Sequence, residues 1–366
     1  MTEDRTTTPD KDSAAPTGLE PGPLVDVLAP EGQPVASTVA EAERLANEPD
    51  AEALGRHADR PSAIQWPGWK AVIRRTALEM LTDRVALVAA GCAFYGTLAL
   101  FPAISMLISV YGLVFDRETV LPQLAVLQDL LPPAAFQLIA ERVQLLVAKP
   151  PGALTISLLT STAVTLWSSA AGTKSIIAAL NLAYEEREGR GFLAYQGIAF
   201  TITACVIVGT VLGLAFMVAM PPALEFLGLA SHQKALIRFS SLGLLIVAVM
   251  VGLSLLYRFG PSRQSPRWSW VTPGSTVATV IWVGASSLFS YYVATFATYD
   301  ATYGPLGTVV GVMMWFYVTA YAVLLGAELN AELELQTVRD STDGPPAPLG
   351  RRGAYVADHV AADRRR

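Results

Sequence analysis

Histidine and cysteine are scarce in this chain of 366 residues, which contains three of the first and two of the second. The cysteines, Cys92 and Cys205, both lie within apolar runs, so we interpret them as packing residues and expect no disulfide framework. His57 and His359 fall near the two chain ends and His232 in a loop between apolar runs. Metal-assisted cleavage of a phosphodiester needs clustered histidine and carboxylate ligands. The sequence therefore disfavours a nuclease, and we expect no enzyme activity, metal or cofactor.

Charged residues are also few, at 16%, whereas 52% of the residues are hydrophobic and the mean hydropathy is +0.42. This composition is typical of a membrane protein rather than of a soluble domain. The charge is unevenly distributed, because residues 1–62 carry a net charge of -8 within a total of -5. This acidic leader has no basic stretch followed by an apolar one, so it does not resemble a signal peptide. We predict that it is a disordered cytoplasmic tail.

Six apolar segments are long enough to cross a bilayer as helices. They cover residues 85–115, 152–177, 194–220, 235–257, 270–296 and 305–327. Thirteen basic residues flank one set of segment ends and five flank the other, which predicts that both termini are cytoplasmic. We therefore expect an all-α integral membrane protein, with six transmembrane helices in a bundle. The membrane domain is predicted at 63–336, between disordered tails at 1–62 and 337–366.

The last apolar segment contains the strongest packing signals. Gly307 and Gly311 form a small-xxx-small pair, which lets another helix approach closely. Tyr303 and Gly304 form a short turn before it, and we expect Gly304 to adopt a conformation that alanine tolerates poorly. In the first segment Pro102 is the expected hinge, because proline removes a backbone hydrogen bond.

The far end of the same segment is acidic. Glu328 and Glu332 continue the helical face of the packing glycines, and Asn330 lies between them. A carboxylate at that depth must be protonated, reach water or find a cation. We expect Glu328 to point into the bundle and to pair with Arg258, or with Lys174 as the second choice. Such a pair is a candidate inner gate.

The second apolar segment is unusually rich in hydroxyl groups. Ser157, Ser161, Thr165 and Ser168 fall on one helical stripe. The stripe can be a packing face whose hydroxyls bond to their own helix, or it can line a wet cavity.

Three stretches resemble one family, the YihY/BrkB membrane proteins of bacteria. They are AGCAFYGTLALFPAI in the first segment, LWSSAAGTKSIIAALNLAYEERE at the end of the second, and the whole of 257–334, which ends in GAELNAELE. The resemblance implies a six-helix protein of the bacterial inner membrane without a settled activity. Some members carry a ribonuclease label, and others are linked to serum resistance or to lipid export.

Two hypotheses about function follow from these observations. In the first, the protein is a transporter or lipid translocase whose partners are membrane lipids and a lipid-like substrate. In the second, it is a non-transporting membrane scaffold that uses the same glycine faces for packing and its tails for recruiting partners. Neither hypothesis involves nucleic acid, and both allow a homo-oligomer.

Overall fold

The structure, a computed structural model, is almost entirely helical. It describes residues 35–36, 38–114, 167, 170–226, 231–295 and 305–362. The elements, in chain order, are β1 (Val35–Ala36), α1 (Val39–Ala46), α2 (Ala51–Leu54), α3 (Trp66–Thr82), α4 (Val85–Val114), α5 (170–183), α6 (Phe192–Phe226), α7 (Ser231–Phe259), α8 (Trp268–Thr295), α9 (Pro305–Glu334), α10 (Tyr355–Asp358) and β2 (Val360–Ala361). A 3-10 turn at Pro61–Ala63 precedes α3.

The long helices have the character of membrane helices. Within the described residues, two helical windows are long and apolar enough to cross a bilayer, Phe192–Gly209 in α6 and Val309–Glu334 in α9. Shorter apolar helical windows occur at Val85–Leu100 in α4 and Gly243–Phe259 in α7. Large apolar side chains on these helices and on α8 face outward. A water-exposed protein rarely presents so much apolar surface, so this surface suits contact with lipid.

Helix α9 is the central element, because it packs against α8, α4 and α3. Its closest crossing is with α8, where Gly326 meets Gly274. The sequence had indicated Gly307 and Gly311 instead. In the part of the chain that the structure describes, nothing lies within 4 Å of a Cβ built on Gly311. The described residues therefore do not test the packing prediction for Gly311, and Gly307 lies in α9 with its contacts outside the described set.

The terminal segments correct the prediction of two disordered tails. Residues 38–62 and 337–362 are folded against the end of α9, and β1 pairs with β2 in antiparallel register. The Ala361 amide donates to the Leu335 carbonyl, and the Val338 amide donates to the Arg56 carbonyl. Composition misled the prediction because it does not reveal that side chains of these segments form hydrogen bonds with the backbone of the same segments. The Arg352 side chain, for example, donates to four backbone carbonyls.

Some predictions made from the sequence concern residues that lie outside the described part of the chain. Ser157, Ser161, Thr165 and Ser168 lie outside the described residues, and so do Tyr303 and Gly304. Pro102 falls inside α4, and the helix continues through it from Val85 to Val114.

Candidate functional site

Five carboxylates come together where three helices end. They form what we call the carboxylate cluster: Glu79, Asp83, Glu185, Glu328 and Glu332. The first two come from the end of α3, the third from just after α5, and the last two from the end of α9. The carboxyl end of a helix carries partial negative charge, so all three helix ends disfavour ionised carboxylates here. The cluster is therefore an electrostatically expensive arrangement.

Two left-handed residues position the carboxylates of α3 and α5. Arg84 has φ 51° and Glu185 has φ 57°, and both follow the last turn of a helix. After α5, the Glu185 amide donates to the Leu182 carbonyl and the Glu186 amide to the Asn181 carbonyl, as in a left-handed helix cap. Glycine usually occupies such positions, because other side chains are strained there. The strained caps turn the chain sharply and leave the Asp83 and Glu185 side chains at the cavity.

Arg75 provides positive charge beside the cluster. Its Nε lies 2.5 Å from the Glu332 carboxylate, and one terminal nitrogen donates to Gln336 Oε1 at 2.6 Å. Arg75 is 5% exposed and Glu332 is 2% exposed, so the pair is shielded from water. The Gln336 amide in turn donates to the Leu54 carbonyl at 2.7 Å. This chain of contacts ties α3 and the leader segment to the end of α9.

Asp83 and Glu328 are two buried acids that line the same small cavity of the cluster. The residues are 4% and 3% exposed. Burial, helped by the negative charges of Glu79 and Glu185, raises the pKa of Asp83 from 3.8 to about 7. Burial also raises the pKa of Glu185. Asp83 can therefore change its protonation near neutral pH.

A small cavity lies at the centre of the cluster. Its volume is about 10 Å³, which is close to the space that one water molecule needs. All five carboxylates line it, and no basic residue stands among the described residues that do so. The terminal segments supply the remaining wall through Val35, Tyr355 and Val356. The folded chain ends therefore cover the cluster.

Asn330, another predicted site residue, has a structural role instead. Its Oδ1 accepts from the Gly274 amide at 2.8 Å, and its Nδ2 donates to the Val271 carbonyl at 3.2 Å. Helix α8 contains Pro273, which removes a backbone donor from this turn. Asn330 is fully buried and fixes the irregular turn of α8 against α9. We assign it to packing rather than to a gate.

A second buried ion pair lies on the other side of α9. One terminal nitrogen of Arg263 contacts both oxygens of Glu334, at 2.9 and 2.7 Å, and both side chains are fully buried. Ser341 donates to the same carboxylate at 2.6 Å. The Arg263 guanidinium also lies over the Tyr184 ring, 4.8 Å from its centroid. This pair joins the loop after α7 to α9 and to the C-terminal segment.

The predicted partners of Glu328 are wrong. Arg258 instead contacts Asp343 Oδ2 at 2.7 Å, donates to the Pro266 carbonyl, and lies over the Trp268 ring. The Nζ of Lys174 lies about 6 Å from the Trp167 and Tyr195 ring centroids. Asp343 belongs to the segment that the sequence predicted to be disordered, so it was not considered as a partner. The expectation that Glu328 points into the bundle is correct.

Three members of the cluster, Glu79, Asp83 and Glu185, and the cation Arg75 were not predicted from the sequence. Arg75 and Glu79 lie on α3, and Asp83 follows it directly, before the first apolar segment. A signal existed in retrospect, because Arg75, Glu79 and Asp83 are spaced by four residues and share one helical face. That face meets Glu328 and Glu332 of α9 and Gln336 just after it, and Arg75 is the residue that matches their polarity.

Among the described residues, no group of three or more His, Cys, Asp or Glu side chains has an arrangement that could hold a metal ion.

Comparison with known proteins connects this arrangement with a family. The profile described as Virulence factor BrkB matches residues 76–350. A Bacillus subtilis (strain 168) protein named ribonuclease-like protein YfkH is 29% identical over 248 residues, which make up 66% of this chain and 87% of that protein. No solved structure is significantly similar to the chain.

Other relatives are named as membrane proteins. A UPF0761 membrane protein of Alkalilimnicola ehrlichii is 25% identical over 253 residues, which are 68% of this chain and 55% of the relative. A UPF0761 membrane protein of Tolumonas auensis is 39% identical over 82 residues, which are 22% of this chain and 27% of the relative. The chain thus matches less than two thirds of the length of these two relatives. The profile match covers well over half of the chain and includes the whole carboxylate cluster, so the chain belongs to the BrkB family of bacterial membrane proteins.

Proposed function

We propose that this protein is a multi-pass transporter of the bacterial inner membrane that moves a lipid-like substrate. In this proposal six helices cross the membrane and both chain ends lie in the cytoplasm. The apolar windows of α4, α6, α7 and α9 support a bundle with several crossings, and the basic residues of the sequence support the orientation.

The observation that carries the proposal is the carboxylate cluster at the end of a membrane helix. Ionisable groups buried in membrane bundles are expensive, and they commonly mark ion or substrate pathways. Here, Glu328 and Glu332 belong to α9, and Asp83 and Glu185 face them from two other helix ends. A protein that only holds other proteins together has no need for an acidic cavity in its interior.

A scaffold is the second candidate function. It is favoured by the buried Arg263–Glu334 pair and by the folded terminal segments, which make the end of the bundle rigid. The two proposals differ in one respect, because a transporter must move its substrate and the cluster should affect that movement. A scaffold should be indifferent to neutralisation of Glu328, provided that the fold is kept.

Nuclease activity is not part of the proposal, although YfkH carries a ribonuclease-like name. Two of the three histidines contact backbone carbonyls of their own segments, His57 that of Ala46 and His359 that of Tyr355. The His359 ring also stacks on the Tyr355 ring. These contacts suit local structure, and we propose a role without hydrolytic chemistry.

Cysteine labelling tests the membrane arrangement. In a Cys92→Ala, Cys205→Ala background, single cysteines replace Glu43, Arg187 or Gln233 in turn. A membrane-impermeant maleimide added to intact spheroplasts should label Gln233→Cys and spare Glu43→Cys and Arg187→Cys until the cells are lysed. Labelling of all three before lysis, or of none, contradicts the six-helix arrangement.

Native mass spectrometry of the purified protein tests the substrate class. Release from mild detergent should leave a subset of inner-membrane lipids bound in defined numbers. The same spectra give the oligomeric state. Retention of lipids only in proportion to their abundance in the membrane would argue for the scaffold, because a transporter binds its substrate selectively.

A further inference from the structure

Asp83 is a buried acid with one oxygen that the described residues leave without a hydrogen bond. Its Oδ1 is inaccessible to solvent and has no hydrogen-bond partner in the described part of the chain, while the residue as a whole is 4% exposed. The side chain lines the 10 Å³ cavity of the carboxylate cluster. A buried oxygen without a partner is expensive, so it indicates that the cavity admits a ligand that can bond to it.

The position of Glu328 beside Asp83 indicates which ligand that is. Both side chains are buried and line the same cavity. An ionised carboxylate is an acceptor only, so two carboxyl groups can bond to each other only when one of them carries a proton. Two buried carboxylates in contact also repel each other, and this repulsion favours retention of one proton by the pair.

Every element that packs against Asp83 and Glu328 contributes groups near them, and these groups also favour retention of a proton. Helix α3 contributes Glu79 and Arg75, the turn after α5 contributes Glu185, and α9 contributes Glu332. The C-terminal segment contributes Tyr355, a neutral phenol whose pKa is raised by burial. Arg75 contacts the Glu332 carboxylate, and the negative charges of Glu79, Glu185 and Glu332 act on Asp83. The ends of α3, α5 and α9 add further negative potential.

We propose that Asp83 and Glu328 form a proton-binding site, in which one proton taken from solvent is shared between one oxygen of each carboxyl group. Loss of that proton leaves two adjacent carboxylates that no longer bond to each other, so the ends of α3 and α9 repel. Proton binding therefore holds these two helix ends together. The water-sized cavity provides room for the molecule that delivers the proton. The site is a property of the chain itself and does not depend on transport.

Infrared difference spectroscopy of the full-length protein in lipid nanodiscs tests the proposal. Spectra recorded below and above neutral pH should show a carbonyl stretch of a protonated, buried carboxyl group that titrates near pH 7. Labelling of aspartate, and separately of glutamate, with heavy carbon should perturb the same band, because the two residues share the proton. This measurement needs no mutation. Absence of a titrating carboxyl band in the wild-type protein overturns the proposal.

Substitutions then identify the residues that give rise to the titrating carboxyl band. Asp83→Asn and Glu328→Gln should each remove it, whereas the matched control Glu43→Gln, which neutralises an exposed carboxylate on α1, should leave it unchanged. Persistence of the band in both cluster variants contradicts the assignment. The last experiment adds sodium or calcium at constant pH and follows the carboxyl band. The proposal predicts no change, and displacement of the band by either ion would show that the site binds a metal cation instead.

Discussion

Gly326 of α9 and Gly274 of α8 meet at a crossing that leaves no room for a side chain. A Cβ built on Gly326 would lie 2.6 Å from the Gly274 carbonyl oxygen and 2.5 Å from the Tyr257 hydroxyl. The Tyr257 hydroxyl donates to the Val323 carbonyl at 2.7 Å, so it cannot move away freely. This crossing aligns the end of α9, and therefore the carboxylate cluster, with α3 and α8.

Substitution at this crossing should be severely destabilising. Gly326→Ala or Gly274→Ala forces two backbones apart, and overpacking of this kind typically costs about 1–3 kcal/mol or more. Gly284→Ala is a matched control, because Gly284 is exposed and nothing in the described structure lies within 4 Å of a Cβ there. The control should be neutral or slightly stabilising. Thermal unfolding in detergent measures all three variants, and equal melting temperatures would contradict the assigned crossing.

The stability of the protein should depend on pH through Asp83. Folding raises its pKa from 3.8 to about 7, so in this range the folded protein binds a proton that the unfolded protein releases. The free energy of unfolding should therefore be greatest below about pH 4, fall as the pH rises to about 7, and then level off. The slope from this group is at most about 1.4 kcal/mol per pH unit.

Asp83→Asn should flatten this profile between pH 4 and 7. Glu43→Gln, which changes an exposed carboxylate, should preserve it. If the wild-type protein instead becomes more stable between pH 4 and 7, carboxylates in ion pairs with cations, rather than Asp83 and Glu328, dominate the pH dependence of its stability.

The buried Arg263–Glu334 pair should behave differently from an exposed one. Removal of either partner leaves a charge buried without compensation, so Arg263→Met or Glu334→Gln should each cost about 3–5 kcal/mol. The double variant should recover part of that loss. Asp59→Ala is the control, because its pair with Arg339 is 3.8 Å long and largely exposed. It should cost less than about 1 kcal/mol. Additive losses in the double variant would show that the two groups are not coupled.

The C-terminal segment should protect the cluster from solvent. Tyr355 and Val356 form part of the cavity wall, and β2 pairs with β1 beside them. Deletion of residues 354–366 should accelerate amide hydrogen exchange in 79–83 and 183–186, whereas deletion of 363–366 alone should not. Identical exchange in the two truncated proteins would show that the segment does not cover the site.

The extent of the helices was predictable, but their contacts were not. Apolar runs predicted α4, α6, α7, α8 and α9 within a few residues, because a long uncharged run has few alternatives to a helix. The crossing of Gly274 and Gly326 escaped prediction because neither belongs to a pair of glycines four residues apart, as Gly307 and Gly311 do. Each is instead spaced four residues from an alanine, Ala278 and Ala322 respectively, which is a weaker signal. Which glycine lies at a crossing depends on the tertiary geometry of two helices.

The site was predictable only in part, for a related reason. The acids of α9 were recognised from their position in an apolar helix, and Glu328 does point inward. The partner of Arg258 was missed because Asp343 lies in a segment whose composition suggests disorder. Similarly, no site residue was predicted on α3, although Arg75 pairs with Glu332 of α9 and Asp83 lines the cavity beside it. In both cases, polar residues are ordered by long-range partners that no local pattern reveals.

The most direct test of the account is lipid movement in proteoliposomes that contain the purified protein. A fluorescent lipid analogue in the inner leaflet becomes accessible to an external quencher only after it crosses the bilayer. The account predicts that the wild-type protein accelerates this step, that Glu328→Gln reduces the rate at equal reconstitution and unchanged melting temperature, and that Glu43→Gln does not. Equal rates in protein-free, wild-type and Glu328→Gln vesicles, across lipid headgroup classes, would contradict the transport proposal and favour the scaffold.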